Sequence, residues 1–282
     1  MFAWSRSRIK KDAATMSANL LRLFVQGVNH GTITIHVFAM YAQYLLESAS
    51  ATRKKSSADS KVEYRLATPE DYDIVLEFTK SHFFREEPVC RNLVDSAQTL
   101  ATFLGGKLKR ALQSNLSALV IEKTTGELVG YRIATAVQRN AKIEDWEGEN
   151  EENTNGARNP AMSASALEVF GEPKKNVWGC IPEGVDKIVR VELLFVRKDH
   201  QNKGIEKKLM KVFYGNRKLK EEGYEGILSD ATSIVNQKLL AKDGFEPLKE
   251  LLLADFEAED GSKLPSIFDN GTTKLVLSFK RL

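Results

Sequence analysis

The sequence predicts a mixed α/β domain, and two patterns carry that prediction. From Val62 to the C-terminus, short apolar strand patterns alternate with amphipathic helix patterns, which is typical of helices packed against a sheet. Within that region, the apolar segment Val191–Val196 passes through a short basic turn into a helix that begins at Gly204. The chain has 282 residues, of which 42% are apolar, which is sufficient for the hydrophobic core of such a domain.

The first part of the domain predicts one strand followed by two helices. The alternating segment VEYRLA begins at Val62 and is typical of a strand. Thr68 and Pro69 suit the N-cap and first turn of a helix, which we expect over residues 71–84. Asp95 is expected to cap a second helix after the loop REEPVCRNLV.

The second part of the domain predicts strands and helices in alternation. Segments on both sides of TTGE, residues 124–127, predict a β-hairpin. The acidic, apolar-poor stretch at about 140–160 predicts an insertion. The later patterns predict, in order, a short helix at 166–171, a long strand at 185–196, a helix from Gly204 to about Glu222, a strand at 225–230, a helix at 233–245 and two closing strands.

Residues 1–60 differ from the rest and predict a separate N-terminal extension, disordered, transit-like or loosely helical. Up to Leu46 this segment holds one acidic residue, Asp12, against five basic ones, which resembles a mitochondrial transit segment. Its apolar stretch at 31–46 is shorter than a bilayer-spanning helix requires. A polar linker at 50–61 separates the extension from the domain at 61–282.

Composition and charge exclude several classes of function. The 41 basic and 38 acidic residues leave a net charge of +3, too small for nucleic-acid binding driven by bulk charge. The two cysteines and four histidines form no metal-binding spacing, so we expect no metal. The same cysteine usage fits a reducing, intracellular compartment.

The turn before Gly204 is the first candidate for a binding site. A glycine between a strand and a helix lets a ligand approach the backbone closely, and a helix start offers free N–H groups to a pyrophosphate. Lys203 adds a positive charge beside it. An ordinary basic turn before an amphipathic helix remains the alternative, because short glycine motifs recur by chance.

Three segments in order resemble one family, the GNAT acetyltransferases. QNKGIE at 201–206 is similar to their acyl-CoA pyrophosphate loop, Q/R-x-x-G-x-G/A, and KDGF at 242–245 is similar to the end of their last helix. The front segment ATPEDYDIVLEFTKSHFFREEPV resembles the invertebrate arylalkylamine (dopamine-type) N-acetyltransferases, where a first helix runs into H-F-F-x-x-E-P. The resemblance covers about 62–282.

The resemblance implies a GNAT fold, with a mixed sheet of about seven strands that splays after the fourth strand and helices on its faces. In this family the exposed edge of the fourth strand pairs with the pantetheine arm of acetyl-CoA, and the loop holds the pyrophosphate. A strand N–H near Val196 would polarise the acyl carbonyl. The positions implied to contact acetyl-CoA are Leu194, Phe195, Val196, Gln201, Asn202, Lys203, Gly204, Ile205 and Glu206.

The resemblance also implies catalytic positions. Glu87 matches the glutamate of the E-P motif and would be the base that takes a proton from the amine, with Glu86 as the alternative. In the dopamine-type enzymes two serines four residues apart assist catalysis, and Thr232 and Asn236 stand at those positions here. Thr232 keeps a hydroxyl, but the amide of Asn236 cannot relay a proton as a serine hydroxyl does.

Two further positions depart from the family pattern. Glu206 stands where the family has Gly or Ala, and a carboxylate there would repel a pyrophosphate if it pointed into the site. Leu240 stands where many members carry a tyrosine that protonates the leaving thiolate. The identity of the general acid therefore stays open.

Together these features imply an acetyl-CoA-dependent N-acetyltransferase that acts on a small, arylalkylamine-like primary amine by direct transfer in a ternary complex. The alternatives are a diamine, amino acid or longer acyl-CoA as substrate, or a non-catalytic acyl-CoA-binding protein. We expect no nucleic-acid partner and no membrane binding, and the sequence does not specify an oligomeric state. The expected location is cytoplasmic, or mitochondrial if residues 1–60 act as a transit segment.

Overall fold

A computed structural model describes residues 61–139, 162–258 and 260–282. The expected extension at 1–60 and the acidic insertion at about 140–160 lie outside the described residues, so both stay predictions. Within the part of the chain that is described, no helix has the length and apolar character needed to cross a bilayer.

Seven strands form one open sheet in the order β1-β2-β3-β4-β5-β7-β6. Neighbouring strands are antiparallel except β4 and β5, which are parallel. This confirms the predicted mixed sheet. The strands are β1 Val62–Leu66, β2 Ala118–Glu122, β3 Leu128–Gln138, β4 Lys187–Val196, β5 Gly226–Ala231, β6 Glu246–Leu252 and β7 Lys274–Arg281.

Helices cover both faces of this sheet. The α-helices are α1 Tyr72–Phe78, α2 Phe84–Glu86, α3 Pro88–Leu93, α4 Ala97–Gln113, α5 Ala164–Gly171, α6 Val177–Cys180, α7 Ile205–Leu209, α8 Asn216–Glu221 and α9 Ile234–Lys242. A π-helical segment, Thr79–Phe83, joins α1 to α2. Helices α1 and α4 bury their apolar faces in one core, and α7, α8 and α9 bury theirs in the other.

Strand β4 divides the two cores and then leaves its parallel neighbour. It pairs with β5 only over Ile188–Val191 but continues to Val196, so its last residues border a gap in the sheet. A bulge at Glu192, where the β3–β4 register shifts, bends the strand just before this gap. The predicted splay after the fourth strand is therefore present.

The backbone direction in this part of β4 follows from its hydrogen bonds to β3. The N–H of Arg197 donates to the carbonyl of Val129, and Gly130 lies opposite Val196. Because backbone groups alternate sides along an antiparallel strand, the N–H and C=O of Leu194 and Val196 point away from β3 and into the gap.

Three sequence expectations about helices were wrong. The segment REEPVCRNLV, expected as a loop, contains α3, which begins at Pro88 with Glu87 as its N-cap. Ser96 rather than Asp95 caps α4, because its hydroxyl accepts a hydrogen bond from the Thr99 N–H at 3.1 Å. The single helix expected from Gly204 to about Glu222 is broken into α7 and α8. The break contains Phe213 at a φ of 64°, and Gly215 takes an extended conformation as the N-cap of α8.

Candidate active site

Glu87 lies at the junction of α2 and α3 with its carboxylate turned inward. It is the N-cap of α3, where Pro88 fixes the first turn, and its Oε2 accepts the Cys90 N–H at 2.7 Å. Only 7% of the residue is exposed. Oε1 is buried without a hydrogen bond of ordinary length among the described residues.

The surroundings of Glu87 change its acidity. Burial raises the pKa of its carboxyl, since the charged form loses hydration, while the Thr232 hydroxyl and the Cys90 N–H partly oppose this rise. The same burial, together with the charge of Glu87, raises the pKa of the Cys90 thiol well above its usual value. We call Glu87, Cys90 and Thr232 the carboxylate cluster; it joins two of the predicted catalytic positions.

Asn236, the third predicted catalytic position, reaches the gap rather than Glu87. It lies in the first turn of α9, where its N–H donates to the Ser233 hydroxyl at 3.3 Å. Its side-chain Nδ2 donates to the carbonyl of Leu194 at 3.4 Å. Asn236 therefore contacts the strand edge that was predicted to pair with a cofactor.

The predicted phosphate-binding segment, Gln201–Glu206, follows β4 as a turn that runs into α7 and is exposed at Asn202 and Lys203; we call it the glycine loop. Asn202 and Gly204 have φ values of 59° and 81°, a left-handed conformation that glycine and asparagine adopt most easily. Ile205 is 2% exposed and anchors the loop in the core. The Lys203 ammonium donates to the carbonyl of Asp199 at 2.6 Å, so this side chain folds along its own loop.

Gln201 connects the glycine loop to two other elements. Its Nε2 donates to the carbonyl of Val196 at 2.7 Å and to the Glu86 carboxylate at 3.3 Å. Glu86 and Glu87, which the sequence left as alternatives, thus point to different parts of the site. Glu86 contacts the loop, and Glu87 lies in the carboxylate cluster.

Glu206 and Leu240, which also depart from the family pattern, have a clear location. Glu206 is half-buried at the start of α7, and burial raises the pKa of its carboxyl, although its own backbone N–H partly opposes the rise. Leu240 is 2% exposed and packs in the core with α7 and α9. No acid can therefore come from position 240.

A buried charged network beside the gap was missed by sequence reasoning. The Glu192 carboxylate, on the β4 bulge, accepts the Thr135 hydroxyl at 2.9 Å and lies 3.7 Å from the Lys107 ammonium. Arg190 lies 3.5 Å from Glu192 and 3.3 Å from Asp230. Burial alone would raise the pKa of Asp230, but the positive charge of Arg190 and nearby lysines holds it below the usual value. The sequence signal that could have predicted this network was Glu192, an ionisable residue inside the apolar run VELLFV.

No protein-family model and no curated protein sequence matches this chain. Several solved structures do match it in fold. Arylalkylamine N-acetyltransferase 2 from Aedes aegypti is 22% identical with a TM-score of 0.60, over 78% of this chain and 98% of that one. Drosophila melanogaster polyamine N-acetyltransferase, which forms N-acetylagmatine, is 14% identical with a TM-score of 0.56, over 78% and 100%.

A third structure extends the same similarity. The C-terminal condensation domain of Ebony, in complex with β-alanyl-dopamine, is 13% identical with a TM-score of 0.53, over 79% of this chain and 99% of that domain. Together with the seven-strand order and the gap after β4, these similarities show that the chain has the GNAT fold, as the sequence predicted.

Proposed function

We propose that the chain is an acetyl-CoA-dependent N-acetyltransferase that acts on a small primary amine by direct transfer in a ternary complex. The observation that carries the proposal is the buried Glu87 carboxylate beside Thr232, in a fold whose fourth strand opens onto a gap. A carboxyl whose pKa is raised by burial is a suitable base for a protonated amine at neutral pH.

In this proposal acetyl-CoA binds along the gap. The gap-facing backbone of Leu194 and Val196 pairs with the pantetheine arm, with Phe195 between them packed in the opposite core. The glycine loop, from Gln201 to Glu206, holds the pyrophosphate through its backbone N–H groups. Because α7 has only five residues, the left-handed turn at Gly204 contributes more to this cradle than a helix dipole does.

The proposed reaction balances with these residues alone. The amine nitrogen attacks the thioester carbonyl, a C–N bond forms, and the C–S bond breaks. The amine proton passes to Glu87, and the Val196 N–H stabilises the negative charge that develops on the carbonyl oxygen. The CoA thiolate leaves, and the Thr232 hydroxyl, beside Glu87 in the carboxylate cluster, can relay a proton to it.

The substrate we favour is an arylalkylamine or a related primary amine. The H-F-F-x-x-E-P resemblance supports it, and so does the similarity to an arylalkylamine N-acetyltransferase structure. The similarity to a polyamine N-acetyltransferase supports a diamine or agmatine as the second candidate. We propose a cytoplasmic location, or a mitochondrial one if residues 1–60 are cleaved as a transit segment, which N-terminal sequencing of protein from cells distinguishes.

The test is an amine screen on the purified full chain with acetyl-CoA and free-thiol detection. The panel should contain phenethylamine-type amines, agmatine, diamines and amino acids, with a longer acyl-CoA as second donor. We expect turnover with at least one primary amine and its loss in Glu87→Gln. Acetyl-CoA binding without turnover on any amine would instead favour the non-catalytic acyl-CoA-binding alternative.

A further inference from the structure

Adjacent glutamates at the end of α2 connect the two halves of the candidate site. Glu87 turns inward to Cys90 and Thr232, whereas the half-buried Glu86 carboxylate accepts the Gln201 side-chain amide at 3.3 Å. Peptide geometry keeps these two residues within a few ångströms of each other. The hydrogen bond from Gln201 therefore ends one residue away from Glu87.

Gln201 contacts both Glu86 and the strand edge with one amide group. A side-chain amide nitrogen carries two hydrogens, so Gln201 can serve Glu86 and the carbonyl of Val196, at 2.7 Å, at the same time. Because the N–H and C=O of Val196 face the same side of the strand, holding its carbonyl also fixes the direction of its N–H. That N–H is the proposed donor to the acyl oxygen.

We infer that Glu86 is a positioning residue: through Gln201 it holds the Val196 backbone and the glycine loop against the helix that carries the base. This inference rests on the proposed function, because it concerns the alignment of the same donor and base. Glu86 itself contacts neither substrate. Its hydrogen bond has a charged acceptor and lies in a half-buried setting, so its loss should be measurable.

The inference predicts a particular pattern among four variants. Glu86→Ala should lower kcat about fivefold and weaken acetyl-CoA binding severalfold, because one hydrogen bond of this kind is removed. Glu86→Gln should retain most of both, since an amide oxygen can still accept from Gln201. Gln201→Ala should behave like Glu86→Ala or worse, and the double variant should be no worse than Gln201→Ala. Arg85→Ala, an exposed neighbour, is the matched control.

Steady-state kinetics, acetyl-CoA titration and thermal unfolding of the full-length variants provide the test. We expect unfolding temperatures close to wild type together with the non-additive loss of kcat and affinity. Additive effects of Glu86→Ala and Gln201→Ala, no rescue by Glu86→Gln, or a Glu86→Ala variant equal to Arg85→Ala would each overturn the inference. If the wild-type chain acetylates no amine, the proposed function fails separately, and the coupling is then decided by the acetyl-CoA affinities alone.

Discussion

The carboxylate cluster and the glycine loop are built by different physical means. Glu87 is 7% exposed, and its acidity is set by burial against helices and core. The glycine loop is exposed at Asn202 and Lys203, and its shape is set by the left-handed residues Asn202 and Gly204. Glu87 in the buried cluster matches the glutamate of the family motif, whereas the glycine loop departs from the family pattern at Glu206. Changes in the carboxylate cluster should therefore affect mainly kcat, and changes in the glycine loop mainly the affinity for acetyl-CoA.

Glu87→Gln should produce the largest effect. Removal of a general base typically costs 10²–10⁴-fold, so we expect kcat to fall by about that factor while acetyl-CoA affinity is unchanged. Glutamine keeps the shape and can still accept the Cys90 N–H. The exposed carboxylate in α1, changed in Glu77→Gln, serves as the control and should retain full activity. Equal activity of Glu87→Gln and wild type would remove Glu87 from the chemistry.

The pH dependence of Glu87 follows from the direction of its shift. Because burial raises its pKa, the deprotonated base forms only at higher pH, and the acidic limb of kcat/KM should lie above the usual glutamate range. The folded state also binds this proton more tightly than the unfolded state, so the group's contribution to stability is full below its unfolded pKa and is lost as pH rises through the folded pKa. Glu87→Gln should thus be more stable than wild type at neutral pH, and this difference should vanish in acid.

A change in the backbone of the glycine loop tests whether this loop binds the pyrophosphate of acetyl-CoA. Gly204→Ala places a side chain at a φ of 81°, which costs about 1–2 kcal/mol of stability. We expect acetyl-CoA affinity to fall about tenfold as the loop distorts, since tenfold corresponds to about 1.4 kcal/mol. Gly126→Ala, at a φ of 74° in the β2–β3 turn, is the matched control. It should lose similar stability and bind acetyl-CoA normally; equal binding by both variants would exclude the loop as the phosphate site.

Much of the fold followed from sequence because its signals are local. The TTGE turn, the capping segment at Thr68–Asp71 and the apolar run of β4 each predicted the element observed. The break between α7 and α8 did not follow, because the periodic pattern continues through VFYG while Phe213 takes a left-handed conformation. Helix capping was also misplaced by one residue, since Asp95 and Ser96 are both good N-caps.

The site was predictable only where a motif names the residue. Glu87 came from the resemblance, and the glycine loop came from the strand–turn–helix pattern as well as the resemblance; both stay predictions. The Glu86–Gln201 hydrogen bond joins residues 115 apart, and the Lys107–Glu192 pair joins α4 to β4. Such partners are set by tertiary packing, which no single-sequence pattern specifies.

Glu206 tests whether a carboxylate beside the glycine loop weakens the binding of acetyl-CoA. Its carboxylate is half-buried at the start of α7, where it would repel phosphates. Glu206→Gln should therefore raise acetyl-CoA affinity by a few-fold at neutral pH and physiological salt, the scale of a partly screened charge pair. Since burial raises its pKa, wild-type affinity should also increase as pH falls through that pKa, and the variant should lack this increase.

The control for Glu206 is the exposed carboxylate of α8 in Glu221→Gln, which should leave affinity unchanged. Titration of acetyl-CoA at several pH values gives the comparison. Weaker binding by Glu206→Gln would mean that the carboxylate helps to shape the loop, and the electrostatic explanation would then be wrong.

Phe213 should give the smallest effect, and one confined to stability. A bulky residue at a φ of 64° is strained, so Phe213→Gly should stabilise the fold by about 1 kcal/mol, or roughly 2–4 °C in Tm for a domain of this size. Phe213→Ala is the matched control, because it removes the ring but keeps the β-carbon that causes the strain. The glycine variant should melt above the alanine variant while both bind acetyl-CoA as wild type does. Altered acetyl-CoA binding would show that the break between α7 and α8 belongs to the cofactor site. The glycine loop, as the region that sets acetyl-CoA affinity, would then include α7 and the turn at Phe213.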